Sequence, residues 1–362
     1  MRLMIAGGGT GGHLFPGIAV AEAARRRDPQ VAILFVGSER GLEARILPES
    51  GFALETLPIA PLRGRGSRER LNALGALAAS VRRARVLVRG FAPDAIVGLG
   101  GYASAPAVVA GRLAGTPIVL LEQNARPGLT TRLLARLADR VCVSFPESAA
   151  SFAPGKAVVT GNPVRWSGAS TTDVATSPPE TTTSGGGLTL LLFGGSAGAR
   201  TLNQAGPALG AALADVPGVH IVHQTGAEAE ASVRAAYAVA GIDADVRPFI
   251  TDMRAAYAAA DLVVCRAGAT TIAELAALGK PAILVPYPYA ADEHQRANAE
   301  SLVRAGAARM VLDLEATGAR LASEVRAMLA ADVRATMAAR VRALARSYAA
   351  ERVLDAVEEL IG

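Results

Sequence analysis

Leu3-Met4-Ile5-Ala6-Gly7-Gly8-Gly9-Thr10-Gly11-Gly12-His13-Leu14-Phe15-Pro16 decides how the 362-residue chain is read. A short apolar run gives way to a loop that is nearly all glycine, and a helical pattern then runs from Pro16 to about Arg27. Apolar run, glycine loop and helix make the opening unit of an α/β domain. Glycines admit positive φ and let a ligand come close to the main chain. The helix behind them turns its unpaired N–H groups and the positive end of its dipole toward the loop. Such a junction suits an anion or a sugar phosphate.

Working outward, Val31–Val36 is a continuous apolar run of the kind found in buried parallel strands. Helices are expected near 41–49, 70–89, 104–113 and 129–138, and strands at 95–97, 118–121 and 141–143. This alternation predicts a doubly wound parallel sheet. The stretch 167–187 breaks it. It is built from Ser, Thr, Gly, Ala and Pro, with Val174 its one large apolar residue, and reads as a flexible linker. The opening device then returns: Leu188–Phe193 as strand, Gly194-Gly195-Ser196-Ala197-Gly198 as loop, 200–214 as helix. Further strands are expected at 219–222, 246–249, 262–265, 282–285 and 307–311, with a charged helical end from about 316 to 360. Two Rossmann-like halves follow, and ligands of open α/β sheets bind at the carboxyl ends of the strands, so the cleft between the halves is the expected active site.

Composition narrows the class. Half the residues are hydrophobic (51%) and few are aromatic (4%), so Ala, Leu and Val fill the cores. The net charge of +5 is carried almost entirely by arginine, since Lys156 and Lys280 are the only lysines. That excess suits an anionic small molecule, an anionic membrane surface or nucleic acid without choosing among them. Cys142 and Cys265 lie far apart, which fits a reducing compartment and argues against a disulfide. A strand starting at residue 3 leaves no room for a signal sequence, and no window is apolar for long enough to span a bilayer. A cytoplasmic protein, at most peripheral to a membrane, is expected.

Several constellations carry chemistry. Gly7, Gly9 and Gly12 satisfy GxGxxG, but the second strand ends Val36-Gly37-Ser38 without the acid that would hold an NAD ribose. A dinucleotide cofactor is therefore disfavoured. His13, at the start of a helix, is expected to stay neutral and to serve as a general base; a capping or packing role is the plainer alternative. In Cys265-Arg266-Ala267-Gly268-Ala269-Thr270-Thr271-Ile272-Ala273-Glu274, small residues and hydroxyls open a helix whose amides could hold a pyrophosphate, and Glu274 could accept from a ribose. The same spacing would also make Thr271 and Glu274 a capping box. Asp292–Asn298 offers amide and imidazole groups for sugar hydroxyls or is a solvated helix start. Asp243-Ala244-Asp245 resembles a metal-holding pair but reads as surface. Residues 63–89 hold arginines at 63, 65, 68, 70, 82, 83, 85 and 89 against Glu69, interleaved with Leu71, Leu74, Leu77, Ala78, Val81 and Val88. That pattern fits a membrane-surface helix, or a helix with its apolar face on the sheet.

Taken in order, GGGTGGHLFPGIAVA, GLGGYASAPAV, LEQNARPGLTTRLLA, TGNPVR, LLFGGSAGARTLNQ, CRAGATTIAELAALGKPAILVP and DEHQRANA span nearly the whole chain. Together they resemble the MurG family, the bacterial transferases that add N-acetylglucosamine to the lipid-linked muramyl-pentapeptide precursor of peptidoglycan. The resemblance implies a GT-B fold, with an acceptor domain of residues 1–163 plus 347–362 and a donor domain of 164–346. It implies an inverting transfer from UDP-N-acetylglucosamine to lipid I, with no cofactor and no obligatory metal. His13 would be the base, and Glu122 the runner-up base or the residue that orients the acceptor. Donor contacts would be Thr10, Gly11, Gly12, Asn124, Arg165, Ser196, Ile250 (to uracil, through its backbone), Ala269, Thr270, Thr271, Ile272, Ala273, Glu274 (to ribose) and Gln295. Ser196, Thr270 and Thr271 would meet the pyrophosphate. The implied partners are UDP-N-acetylglucosamine, lipid I and the cytoplasmic face of an anionic inner membrane, without nucleic acid. The implied setting is cell-wall synthesis, and with it cell shape and division. The family often has two adjacent glutamines where this chain has His294-Gln295. An acceptor of another kind, such as a sterol, a diacylglycerol or a small metabolite, is the alternative for the same fold.

Overall fold

Apolar runs too hydrophobic to face water on either side form two all-parallel sheets, and helices cover their faces. The structure, a computed structural model, describes residues 1–39, 41–59, 67–164 and 187–362. Arg165, the linker residues 167–186, and Arg63 and Arg65 of the basic segment lie outside the described residues. Two compact units result, one holding residues 1–164 and 346–362 and the other 187–345.

The first unit runs β1 (Arg2–Ala6), α1 (Gly11–Arg27), β2 (Ala32–Ser38), α2 (Glu43–Glu49), β3 (Ala53–Leu57), α3 (Ser67–Phe91), β4 (Ala95–Gly98), α4 (Gly101–Ala114), β5 (Ile118–Glu122), α5 (Leu129–Leu134), β6 (Arg140–Val143) and β7 (Ala157–Val159). Its strand order is β3-β2-β1-β4-β5-β6-β7. Ile5, fully buried, lies between Phe35 and Val97 in register. The edge strands β3 and β7 are absent from the sequence reading. Each has one neighbour; β3 (ALETL) is broken by polar residues, and β7 (AVV) is only three residues long. Helix α5 stops at Leu134, four residues short of expectation, where Lys156 Nζ donates to the Ala135 carbonyl at 2.6 Å. A cation there satisfies a helix end.

The second unit runs β8 (Leu188–Phe193), α6 (Arg200–Ala212), β9 (Val219–Gln224), α7 (Glu230–Val239), β10 (Ala244–Arg247), α8 (Met253–Ala259), β11 (Leu262–Cys265), α9 (Ala269–Leu278), β12 (Ala282–Leu284), α10 (His294–Arg304), β13 (Arg309–Met310), α11 (Gly318–Arg326) and α12 (Ala331–Ala343). Its order is β10-β9-β8-β11-β12-β13. Strand β10 lies at 244–247, not 246–249. Asp245 on it is gripped by Arg247, whose Nε donates at 2.9 Å, so that half of the DxD pair is engaged by a guanidinium. The last helix, α13 (Ala349–Ile361), returns to the first unit. Ala350, Val353, Leu354 and Val357 enter the core with Leu14 and Ile18 of α1. Arg27 bonds Asp355 at 2.9 Å and Glu358 at 2.8 Å along the same seam.

Both cysteines are buried free thiols. Burial pushes the Cys142 thiol up to about 12 and the Cys265 thiol higher still, so both stay protonated at neutral pH. In α3, Ala84 and Val88 pack against Met4, Ile96 and Ala107 of the sheet and α4, while Arg82, Arg83, Arg85, Val86 and Arg89 face outward. The sheet-facing alternative thus holds for Ala84 and Val88, whereas Ala78 is exposed rather than packed. Among the described residues no helix is long and apolar enough to cross a membrane, and no cluster of three or more metal-ligating side chains occurs.

Candidate active site

In each unit the strand order reverses beside the first strand, between β1 and β4 and between β8 and β11. A crevice opens at such a switch point, and both glycine loops stand there. The first-unit loop is held from below by Glu43, which is fully buried. Its carboxylate accepts from Gly9 N at 2.7 Å and from Ser38 N and Oγ at 2.8 Å each. A Cβ on Gly8, Gly37 or Gly41 would come within 2.5, 2.7 or 2.1 Å of Glu43 side-chain atoms. These glycines therefore make room for a carboxylate of the chain itself. The sequence offered no signal for this, because Glu43 reads as one more polar residue on a helix.

His13 is the third residue of α1, half-buried beside the loop that follows β4. Its Nδ1 lies 3.1 Å from Gln123 Oε1, and Gln123 Nε2 donates to the Leu99 carbonyl at 2.9 Å. Gln123 is itself buried at the end of β5. Glu122, one residue earlier and 2% exposed, is engaged on both oxygens. Oε1 accepts from Asn124 N and Nδ2 at 3.0 and 3.2 Å, Oε2 accepts from Gly128 N at 3.1 Å, and Thr131 adds a further hydrogen bond. Burial pushes its carboxyl up and these donors pull it back. Such a carboxylate braces the 123–128 loop, and with it Asn124, more readily than it takes a proton from a substrate. Thr10 and Gly12 are exposed and Gly11 is half-buried at the same helix start.

The second-unit loop is held differently. Gln224, at the end of β9, donates from Nε2 to Gly195 O at 2.9 Å and accepts from Ile250 N at 2.7 Å. The Ile250 N–H is thus spent inside the protein, and its carbonyl is the backbone group left to meet a base. Ser196 is exposed at the loop tip. Across the switch point α9 follows Gly268, which has no side chain with which to cap it. Ala269, Thr270 and Thr271 form the first turn, and the capping box is not made. Thr271 stands inside the helix, and Glu274 Oε2 accepts from the buried Tyr257 hydroxyl at 3.0 Å. Ile272 is buried, and Ala273 and Glu274 are half-buried. The helix start is left to its amides, which suits phosphate oxygens.

Beside it lies a cavity of about 640 Å³ lined by residues including Thr201, Arg266, Tyr287, Gln295 and Asp313. Arg266, 8% exposed, donates to the carbonyls of Val285 and Pro286 and pairs with Asp313. Gln295 Oε1 accepts from Tyr287 N at 2.9 Å, which commits its oxygen and orients its amide NH2. His294 and Gln295 open α10 directly after Asp292 and Glu293, whose φ of 54° and 53° are uncommon for residues with side chains. The structure thus gathers His13, Asn124 and residues 10–12 in one unit, and Ser196, Ile250, 269–274 and Gln295 in the other. Glu43, Gln123, Gln224, Tyr257 and Asp313, which hold these residues in place, were not singled out from sequence.

Two parallel-sheet Rossmann-like domains, each with its glycine loop at the switch point, define the class as a GT-B glycosyltransferase fold. The model of the glycosyltransferase family 28 N-terminal domain matches residues 3–143, and that of its C-terminal domain matches 189–359. A UDP-N-acetylglucosamine--N-acetylmuramyl-(pentapeptide) pyrophosphoryl-undecaprenol N-acetylglucosamine transferase from Citrifermentans bemidjiense is 46% identical, over 99% of each chain. A crystal structure of MurG from Acinetobacter baumannii superposes with a TM-score of 0.78 at 31% identity, covering 99% of each chain. The chain belongs to the MurG family of N-acetylglucosamine transferases, within glycosyltransferase family 28. The fold alone reaches further. A UDP-GlcNAc 2-epimerase from Neisseria meningitidis, solved with UDP-GlcNAc bound, shares it at 13% identity and a TM-score of 0.68, over 99% of this chain and all of the other.

Proposed function

We propose that this chain transfers N-acetylglucosamine from UDP-N-acetylglucosamine to the 4-hydroxyl of the muramyl sugar of lipid I, giving lipid II. The observation that carries the reading is the 46% identity over nearly the full length with a transferase named for that reaction. The site chemistry is compatible with it. The second unit takes the donor: Glu274 meets the ribose, the Ile250 carbonyl the uracil, and Gln295 the sugar. Ser196, Thr270 and Thr271, with the first amides of α9, meet the diphosphate. Arg165 completes this set by family resemblance. The first unit takes the acceptor.

His13 removes the proton of the 4-hydroxyl as its oxygen bonds to the anomeric carbon. The C–O bond to UDP breaks, its electron pair goes to the β-phosphate oxygen, and the configuration inverts. Growing charge on the leaving diphosphate is met by helix-start amides, so no metal is required. Thr10, Gly11, Gly12 and Asn124 of the first unit are the remaining donor contacts that the family resemblance implies. The outward arginines of α3, at 82, 83, 85 and 89, draw the protein to the anionic cytoplasmic leaflet, each adding about 1 kcal/mol near the surface.

The test offers the purified chain UDP-N-acetylglucosamine with lipid I, with other hydroxyl acceptors, or with none. Lipid II formed only with lipid I supports the reading. Transfer to a different acceptor, or epimerised donor in its absence, overturns it. Replacing His13 by Ala should lower kcat by about 10²–10⁴, the usual worth of a general base. Near-normal turnover at saturating substrates would remove His13 from that role.

A further inference from the structure

The hydrogen bonds around His13 carry information beyond its role as a base, and the inference from them rests on that role. Leu99 O is a carbonyl and can only accept. Gln123 Nε2 is the group that reaches it, at 2.9 Å. The other end of the same amide, Oε1, therefore faces His13, and it too can only accept. At 3.1 Å from that oxygen, Nδ1 of His13 must be the protonated nitrogen. In a neutral imidazole the lone pair then sits on Nε2.

The chain fixes this arrangement firmly. Gln123 is 3% exposed and Leu99 wholly buried, and Leu99 N is tied to the Ala6 carbonyl of β1 at 2.8 Å. Three strand ends, β1, β4 and β5, thus converge on one imidazole. The opposite edge of the ring lies over the start of α4, where a Cβ on Gly101 would stand 3.5 Å from Nε2.

We infer that Gln123 is a positioning residue, which holds His13 as the Nδ1–H tautomer and so presents the basic lone pair on Nε2 to the acceptor hydroxyl. An amide does this without adding charge. A carboxylate in the same place would instead stabilise the imidazolium and leave the base harder to regenerate.

Nitrogen NMR of the full chain, labelled at its four histidines, tests the inference directly. His13 is assigned by the signals lost in His13→Gln. Above its titration, the expected pattern is a pyrrole-type Nδ1 and a pyridine-type Nε2. In Gln123→Leu the two forms should mix, and kcat should fall about 10- to 100-fold, part of a general base's usual contribution. The KM for UDP-N-acetylglucosamine should stay within about twofold, because the donor residues are untouched, whereas a merely loosened fold would move both constants. A pyrrole-type Nε2 in the unaltered protein overturns the inference, and so does a Gln123→Leu variant with unchanged kcat. The wild-type spectrum is decisive even if that variant fails to fold. The inferred tautomer together with a fully active His13→Ala would overturn the base assignment instead.

Discussion

The two glycine loops look alike in sequence and occupy the same topological position, yet they are held by opposite means. Residues 7–10 sit on a buried carboxylate, Glu43, which takes up the Gly9 N–H at 2.7 Å. Residues 194–198 sit on a neutral amide, Gln224, and on bare main chain. A Cβ on Gly198 would meet Thr225 O at 1.8 Å, and one on Gly226 would meet Ala197 O at 2.3 Å. The charge nearby also differs, since the second unit carries the buried Arg266 next to its cavity. A loop already backed by an anion is a poorer host for another than one backed by neutral groups. The comparison teaches that a glycine loop at a switch point is not by itself a phosphate cradle. The sequence reading treated the two as copies of one device. The structure separates them: a carboxylate backs the first loop, beside His13, and a neutral amide and main chain back the second.

The contrast can be broken most violently at Gly198. Replacing it with Ala forces a Cβ onto a backbone oxygen at a φ of 75°, where no side chain can rotate away. A loss of about 4 kcal/mol or more is expected, with UDP-N-acetylglucosamine binding abolished in calorimetry. A variant with wild-type unfolding and donor affinity would show that the close approach is not real.

Glu43→Gln should cost somewhat less. It turns an NH2 toward donors and leaves one of them unpaired in the interior, about 2–4 kcal/mol by denaturant unfolding. Turnover should drop while calorimetric affinity for UDP-N-acetylglucosamine holds. Weakened donor binding would mean that the first loop does handle the diphosphate.

Acid should separate the two units. His223, buried against Tyr237 in the second unit, has its pKa lowered by burial from 6.5 to about 4. Between those values the unfolded chain binds a proton that the folded one refuses, so stability falls as pH drops through that window. The full loss is about 3 kcal/mol at 1.36 kcal/mol per unit. In the first unit the raised Glu122 carboxyl works the other way, since the folded form takes up its proton first as pH falls. Hydrogen exchange corrected for intrinsic rates should therefore show residues 187–345 loosening at pH 5 relative to pH 7 before residues 1–164 do. His223→Gln should abolish the difference. Equal loosening in that variant would assign it to another group.

The mildest test is Arg266→Lys. A lysine keeps the charge but cannot reach Val285 O, Pro286 O and Asp313 together. Donor affinity should fall about tenfold, near 1.4 kcal/mol, with little change in melting temperature. Unchanged affinity would place the guanidinium outside the donor's reach.

Much of this molecule could be read along the chain. The inner strands were legible because burial on both faces leaves a continuous apolar run, as in Leu188–Phe193, and the loops because glycine clusters at a strand end. The edge strand β3 was not legible, since a half-buried strand carries a fainter pattern, and β7 was not because three residues make too short a run. The residues proposed to touch substrate stood out because each sits in a local motif: His13 after its glycines, Thr270, Thr271 and Glu274 at a helix start.

The residues that hold them could not be named, because their partners are distant in sequence. Glu43 reaches back 34 positions to Gly9, and Gln123 reaches 110 to His13. Local sequence determined the elements and their order, since propensity and periodicity act within a few residues. Tertiary structure alone decided which side chain lies beneath each loop, that Gln123 stands against Nδ1 of His13, and that Thr271 and Glu274 are not a cap. Those facts depend on hydrogen bonds between strand ends that only the folded sheet brings together.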